Sequence, residues 1–257
     1  MTKADISVKH QGMQDVHEAI APLPFFLKSS QGAAGTPLRE QVYAHLKLML
    51  NAGQLAPGAF IDLNTLGNDL GLSRTPLRDA LLRLEAEGFV TIHSRRGVVV
   101  NPLDLTAIRN SYQLLGALEA SAIIETGPVF TATDSDCMNE LNERMKASLS
   151  IDDFDDYYAA NLSFHDVYIQ KSANAELKRT VRILKERLYD FPRREAYLSE
   201  WEYKSLEEHA AIAAMLGSSD FAGAAAYVRD VHWSFAVQER FIMAYYFARE
   251  TASGVRR

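Results

Sequence analysis

The sequence has a single cysteine, Cys137, among its 257 residues. One cysteine excludes an internal disulfide framework and is typical of a protein from a reducing compartment. The sequence also lacks any run of about eighteen apolar residues, the length that a membrane-spanning helix needs. Its first residues lack the apolar core of a secretory signal. We therefore expect a cytoplasmic protein that has no membrane segment.

Several signatures of catalysis are absent as well. The sequence contains no Walker loop, no Rossmann glycine fingerprint and no Gly-x-Ser-x-Gly motif. The acidic run Asp152–Asp156 lacks the glycine and the ligand spacing of a calcium loop, and carboxylates at this place favour a helix N-terminus. Cys137 has no evident catalytic partner in the sequence. These absences argue against an enzyme.

The net charge of -6 is unevenly distributed. Residues 36–100 hold seven Lys or Arg against six Asp or Glu, whereas residues 101–257 hold seventeen against twenty-four. Residues 71–100 contain five arginines and only three acidic residues. Because a DNA-reading module needs only a local basic face, the acidic total does not exclude one in the N-terminal part.

Periodicity and turn residues divide the chain into three predicted segments. Residues 1–35 show no sustained periodicity, and we expect a flexible N-terminal extension. Residues 36–101 are predicted to form a winged helix-turn-helix domain. Residues 102–257 are predicted to form an antiparallel all-helical bundle, so that the fold class is mainly α. The helices of this bundle are predicted at about 104–126, 133–149, 152–171, 173–199, 201–216 and 219–249.

The N-terminal pattern starts with a helix that Thr36 caps and that ends near Asn51. Its apolar positions are Val42, Leu46, Leu48 and Leu50. A short helix follows and stops at Gly71, and Ser73 caps a second helix that runs to about Gly88. Two strands at 89–93 and 97–101 complete the motif. The second helix is predicted to bury one arc, formed by Leu77, Ala80, Leu81 and Leu84.

The exposed side of the second helix has the chemistry of a DNA contact. The N-H groups of a helix N-terminus suit a phosphate, and hydroxyl side chains add donors. Arg74 and Arg78 lie one turn apart on one face, and a guanidinium fork matches guanine with about 1–3 kcal/mol of base discrimination. A basic hairpin tip can approach phosphates or a minor groove. The predicted DNA contacts are therefore Ser73, Arg74, Thr75, Arg78, Arg95, Arg96 and Gly97.

Three segments, Thr36–Tyr43, Gly71–Gly88 and Arg95–Val98, resemble the GntR family of bacterial transcription regulators. The resemblance implies that Arg74, Thr75 and Arg78 contact DNA, with Gly97 in the wing. Asn64 departs from the family, where relatives carry a basic or acidic residue. No base contact is assigned to it.

The remainder of the chain, over about residues 104–245, resembles the FCD domain, the effector-sensing bundle of the FadR-like subgroup. Asn161-Leu-Ser-Phe-His165 and the pair Glu208-His209 carry this resemblance. Asn161 and His165 are four residues apart, so both leave the same helix face. Imidazoles and an amide oxygen from three helices suit a divalent ion such as zinc, nickel or manganese. The predicted ligands are Asn161, His165, His209 and His232.

The resemblance also implies a small carboxylate effector near the metal, contacted by Arg187. Two positions depart from the family pattern. Leu115 stands where relatives often carry arginine, and the last family histidine corresponds to Val231 rather than to His232. One extra residue turns a helical side chain by about 100°, so His232 is expected to reach the site only if the chain adjusts locally.

We interpret the protein as a homodimeric regulator that binds double-stranded operator DNA with an inverted repeat and is released by its effector. One alternative makes His165 and His209 ordinary core residues and His232 a surface residue. A second is a metal-dependent hydrolase that uses the histidine cluster, against which Glu208 is expected to point away. A third is a ligand-binding dimer with vestigial DNA heads, against which the intact arginine pair argues.

Overall fold

The computed structural model describes residues 36–94, 97–189 and 198–247. The chain divides between Pro102 and Leu103 into two compact units. The extension predicted for residues 1–35 lies outside the described residues. Within the described part of the chain, no helix is long and apolar enough to cross a membrane.

The N-terminal unit is a winged helix-turn-helix, as predicted. Its described strands are β1 (Phe60–Ile61), β2 (Val90–His93) and β3 (Gly97–Val100), and they form one antiparallel sheet in the order β1-β3-β2. Strand β1 is not predicted from the sequence, because a strand of two residues is too short to show a period. The elements are α1 (Leu38–Asn51), β1 (Phe60–Ile61), α2 (Leu63–Leu70), α3 (Arg74–Ala86), β2 (Val90–His93) and β3 (Gly97–Val100).

Local chemistry sets the ends of the two central helices. The Asp62 carboxylate accepts hydrogen bonds from the backbone N-H groups of Asn64 and Thr65 and so caps α2. Gly71 stops the same helix in the left-handed conformation, with φ of 65°. Ser73 precedes α3 as predicted, but its side chain makes no capping hydrogen bond. These ends place the first residues of α3 at the surface.

The predicted buried arc of α3 is confirmed, because Leu77, Ala80, Leu81 and Leu84 are all buried. The prediction for α1 is partly wrong. Leu48 is 65% exposed, and Met49 is buried in its place. A helix buries positions three and four apart, so Met49 shares a face with Leu46, whereas Leu48 points away. Pro37, rather than Thr36, is the residue that precedes α1.

The C-terminal unit is helical around one apolar core, in agreement with the predicted fold class. Its first helix packs against the fourth, and its second against the third and the fifth. The helices are α4 (Leu105–Thr126), α5 (Ala132–Ser150), α6 (Phe154–Ile169), α7 (Ala175–Tyr189), α8 (Ser199–Gly217), α9 (Phe221–Tyr227) and α10 (Phe235–Ile242).

The last predicted helix, 219–249, is wrong as a single continuous element. A π-helical turn, Val228–His232, follows α9, and the chain then leaves the helix before α10 begins. Ser234 has extended backbone angles there, so helical hydrogen bonding starts anew. A second π turn, Met243–Phe247, follows α10. Residues 190–197 of the predicted helix 173–199 lie outside the described residues.

Candidate DNA interface and candidate metal centre

The first residues of α3 form an exposed polar surface. Ser73, Arg74, Thr75 and Arg78 are all exposed, on the side opposite the buried leucines. Arg74, Thr75 and Arg78 line a groove of about 690 Å³ that continues to the hairpin. The groove also contains residues of α2 and of the wing, namely Asn64, His93, Ser94 and Gly97. Helix α3, the second helix of the helix-turn-helix and hence its recognition helix, therefore shares one concave face with the wing.

The two arginines of this face differ in their surroundings. The Arg74 Nη2 atom donates a hydrogen bond of 2.6 Å to Asn64 Oδ1. Asn64 thus positions Arg74, a role that the sequence does not reveal. The pKa of Asp62 is lowered, first by hydrogen bonds from Thr65 and last by the charge of Arg74. Arg78 makes no hydrogen bond or ion pair with any residue that the structure describes, and its guanidinium is available to a partner.

Gly97 has a structural reason to be glycine. Its φ of 113° is a conformation that side chains rarely adopt, and a Cβ there would lie 2.5 Å from Phe60 Cζ and 2.9 Å from the Ile61 carbonyl oxygen. The wing therefore closes tightly over β1. Contact of Gly97 with DNA stays a prediction. Arg95 and Arg96 lie outside the described residues.

Three histidines from different elements meet inside the helical unit. His165 comes from α6, His209 from α8 and His232 from the π turn, and one ring nitrogen of each lies within 4.8 Å of the others. All three side chains are buried. The His165 Nε2 atom and both ring nitrogens of His209 have no hydrogen-bond partner among the described residues. Buried nitrogens that converge in this way are suited to share one bound ligand.

Two buried carboxylates stand behind these histidines. Glu119 Oε2 lies 2.8 Å from His165 Nδ1, and Glu208 Oε2 lies 2.8 Å from His232 Nδ1. A carboxylate on one ring nitrogen fixes the ring and raises the basicity of the other nitrogen as a metal ligand. The expectation that Glu208 points away from the cluster is wrong. The expectation considered only the helix that carries Glu208 and His209, whereas the contact is made by His232, which comes from the π turn.

Glu119 is held by more than His165. It accepts a hydrogen bond of 2.5 Å from the Tyr168 hydroxyl, and its Oε1 atom forms an ion pair of 2.9 Å with Lys185 Nζ. These partners outweigh burial and hold the Glu119 pKa well below its usual range, although burial opposes them. The carboxylate therefore stays charged behind His165.

The environment keeps His165 and His209 in the form that binds metals. Burial lowers the pKa of His165 to about 4, although Glu119 opposes this shift. Burial also lowers the pKa of His209 well below its ordinary value, and the neighbouring His232 and His165 act in the same direction. Neutral imidazole is the metal-binding form. The residues present thus fit a divalent ion that prefers nitrogen ligands.

The π turn explains how His232 reaches this cluster. A π turn takes up one residue more than an α turn, which is the local adjustment that the offset from Val231 requires. The ring centroid of His232 lies 5.0 Å from that of His209 and 5.1 Å from that of His165. The alternative of a surface position for His232 is wrong, since it is 9% exposed. A Cβ on Gly116 of α4 would lie 3.3 Å from Arg229 Cα, so the widened turn uses the space that this glycine leaves.

A cavity of about 50 Å³ adjoins the cluster. Asn161 and His232 line it together with Glu202 and Glu208, and nine of the fifteen described residues that line it are Tyr, Trp or Phe. Asn161 lies one turn before His165 on α6 and is buried. Its role as a fourth ligand stays a prediction.

The structure does not bring Arg187 into this cavity. Arg187 lies in the last turn of α7 and is half-buried, and it is not among the described residues that line the cavity. Burial lowers its pKa, whereas Asp104 acts to raise it. Its predicted contact with an effector stays a prediction.

Comparisons with protein families identify two consecutive domains. The profile of the bacterial regulatory proteins of the gntR family matches residues 38–100. The profile of the FCD domain matches residues 110–231. The first match covers the recognition helix and the wing, and the second covers His165 and His209 and ends one residue before His232.

Individual relatives agree with these matches. The Nta operon transcriptional regulator of Aminobacter aminovorans is 31% identical over 180 residues, which are 67% of this chain and 80% of that protein. The HTH-type transcriptional regulator MT0049 of Mycobacterium tuberculosis is 34% identical over 88 residues, 34% of this chain and 36% of its own length. The match thus spans about a third of that regulator.

A solved structure shows the same fold. It is McbR/YncC of E. coli, with a TM-score of 0.56 and 23% sequence identity over 83% of this chain and 99% of that chain. At this identity the likeness supports the arrangement of helices and wing and carries no information about the ligand.

Proposed function

Because the chain belongs to the GntR family of bacterial transcription regulators and has an FCD effector-binding domain, we propose that it is a repressor released from DNA by a small metabolite. Its N-terminal unit binds the operator, and its C-terminal unit binds the effector and forms the homodimer. Two recognition helices related by a two-fold axis then read an inverted repeat. Chromosomal DNA as the partner makes the cytoplasm the proposed compartment.

The exposed Arg78 at the start of α3 is the observation that carries this proposal. It has no partner among the described residues and lines the groove between recognition helix and wing. Arg74 lies one turn earlier in the same groove, and Asn64 holds it in place. A helix with two such guanidinium groups near its N-terminus suits the base edges of a major groove.

Operator binding tests these roles. We expect Arg78→Ala and Arg74→Ala each to raise the Kd for operator DNA about tenfold or more, since a bidentate arginine contributes about 1–3 kcal/mol. The DNA is the intergenic region next to the gene, and footprinting with fluorescence anisotropy gives the readout. Arg179→Ala removes an exposed arginine of the helical unit and is the matched control. Unchanged footprints in both α3 variants would contradict the assignment.

We further propose that His165, His209 and His232 hold a divalent metal, with Asn161 as the predicted fourth ligand. Glu119 and Glu208 orient the rings of His165 and His232 for this purpose. Bound there, the metal would supply the positive charge for an effector carboxylate. No Lys or Arg is among the described residues of the cavity lining, so a carboxylate needs such a charge.

Metal analysis of the purified protein tests this site. We expect about one zinc, nickel or manganese ion per chain and a rise in thermal stability when the ion is returned after chelation. His209→Ala removes the ion, whereas His93→Ala, which changes an exposed histidine of the wing, leaves it bound. A protein that contains no metal and shows no thermal shift with these ions would refute the site.

The effector acts on DNA binding through a difference in affinity between two forms of the dimer. A difference of about 1–3 kcal/mol suffices for release. The hydrolase alternative requires a carboxylate near the histidines that can act as a general base. Glu119 and Glu208 lie near them, but each of these carboxylates is already hydrogen-bonded to the Nδ1 atom of a histidine ring. A hydrolase screen with added metal distinguishes it, since we expect no turnover there.

A further inference from the structure

The cavity beside the histidine cluster has an unusual lining for a carboxylate site. Aromatic rings make up most of its wall, and its two acidic side chains are Glu202 and Glu208. The described part of the lining contains no Lys or Arg. Away from the histidine cluster, the described part of the wall therefore offers hydrogen-bond acceptors and π faces, and none of its side chains is a Lys or Arg.

The two carboxyl groups differ in their partners. Glu208 is fully engaged, because it accepts hydrogen bonds from His232 and Gln238 and has Lys204 Nζ at 3.6 Å. Among the residues that the structure describes, only the Tyr157 hydroxyl donates a hydrogen bond, of 2.5 Å, to Glu202. No described residue forms an ion pair with Glu202. It is thus a partly buried carboxyl that lines the cavity, and the described lining provides no Lys or Arg as its counter-charge.

We propose that this cavity takes an effector with a protonated amino group and that Glu202 receives this group. The inference rests on the proposed effector-binding function of the same unit and names the chemistry of the ligand. An ammonium group would donate to the unoccupied positions of the Glu202 carboxylate and neutralise it. Pairing stabilises both the ammonium group and the carboxylate, because each has a partner of opposite charge away from bulk water.

The aromatic wall supports a cationic ligand independently of Glu202. Trp201, Tyr158 and Tyr189 line the cavity, together with Tyr112, Tyr245 and Tyr246. A cation near the face of such a ring is stabilised by about 0.5–2 kcal/mol, and rings around an alkylammonium group are a known mode of recognition. An anion would instead meet the negative faces of the same rings.

The state of Glu202 agrees with this assignment. Burial raises the pKa of Glu202 to about 7, and the hydrogen bond from Tyr157 opposes the shift. This is the response of a carboxyl that has lost water without gaining a cation. Perturbed carboxyls in clefts are candidates for functional groups.

The size of the cavity selects the probes. One water needs about 10–15 Å³ measured in this way, so a cavity of about 50 Å³ has room for roughly four such volumes. Propylamine, propan-1-ol and propionate have nearly the same shape and differ in charge. β-Alanine carries the amino group and a carboxylate together. Propylamine and β-alanine thus separate an amine from an amino acid.

Intrinsic fluorescence reports on this cavity directly. The chain has two tryptophans, and both Trp201 and Trp233 line the cavity. We titrate the full chain with each probe in the absence of DNA and follow tryptophan emission. We expect propylamine, β-alanine or both to bind at least tenfold more tightly than the uncharged propan-1-ol. A stronger response to β-alanine identifies the ligand as an amino acid, and an equal response identifies it as an amine.

The variant Glu202→Gln keeps the acceptor for Tyr157 and removes the charge. We expect it to weaken binding of the amine at least tenfold and to leave binding of propan-1-ol unchanged. Glu200→Gln is the matched control, because Glu200 is exposed on the same helix and pairs with Arg240. Circular dichroism checks that both variants fold. If a variant does not fold, the comparison of probes on the unaltered chain still tests the inference.

Two results would overturn the inference. These are equal binding of propylamine and propan-1-ol, and no saturable response to an amine. The proposed function fails separately. If the amine binds but operator affinity is unchanged, the release mechanism is wrong and the cavity assignment stands. If another ligand releases the operator and no amine binds, only the cavity assignment fails.

Discussion

The partly buried carboxyl of Glu202 leads to a quantitative prediction for the free energy of unfolding. Its pKa rises from the ordinary value of 4.5 to about 7 because of burial. The folded state therefore holds its proton more tightly than the unfolded state between these two pH values. For such a group the contribution to stability is fully present below pH 4.5 and is lost as the pH rises through 7.

The size of the effect follows from these two values. A pKa that moves from 4.5 to about 7 corresponds to about 3 kcal/mol between the limits of low and high pH. Between pH 5 and pH 8, about 2–3 kcal/mol of this should be lost. Glu202→Gln has no proton to lose and keeps an acceptor for Tyr157. The variant should therefore gain about 2–3 kcal/mol relative to the unaltered chain as the pH rises from 5 to 8.

Urea unfolding followed by tryptophan emission measures this difference. Both tryptophans lie in the helical unit, so the signal reports that unit alone. The difference between the two proteins at each pH cancels the titration of all other groups. Glu200→Gln, at an exposed carboxyl, should show no such dependence on pH. A stability difference between Glu202→Gln and the unaltered chain that is the same at pH 5 and pH 8 would refute the reasoning.

Further changes test other parts of the structure. Gly97→Ala should destabilise the N-terminal unit by about 1–3 kcal/mol in thermal unfolding, because it adds a steric clash to a strained φ. Gly58→Ala, which has a positive φ and open space, should cost less. Lys185→Met should cost about 3–5 kcal/mol in denaturant unfolding, since it leaves the buried Glu119 charge without its cation. Deletion of the exposed Asp230 should turn the π turn into an α turn and shift the unfolding temperature by less than about 4 °C. A large loss of stability on this deletion would contradict our explanation of the turn.

The N-terminal unit was predictable because its signals are local. The arc of α3 repeats with the helical period, and Gly71 ends α2 through its own backbone conformation. The error at Leu48 has the same origin, since an apolar residue next to a buried position does not say which of the two faces the core. Strand β1 exists only through its pairing with β3, and no pattern within two residues can show that.

The helical unit was predictable in class and less so in its site. The sequence identifies the three histidines and their separate elements, but the widened turn that delivers His232 depends on tertiary packing. Partners such as Glu119 and Lys185 lie far along the chain from His165 and carry no motif. The carboxyl of Glu202 differs from its exposed neighbours on α8 only through burial, which one helix does not reveal.

The space beside Gly116 has a consequence for how this helical unit can vary. The π turn Val228–His232 is wider than an α turn, and it packs against α4 at Gly116, where α4 has no side chain. An alanine at position 116 would press on Arg229 and favour a regular turn, which has one residue fewer. A relative whose histidine corresponds to Val231 has a regular turn and needs no extra space beside residue 116. The residue type at position 116 and the length of this turn should therefore change together among relatives.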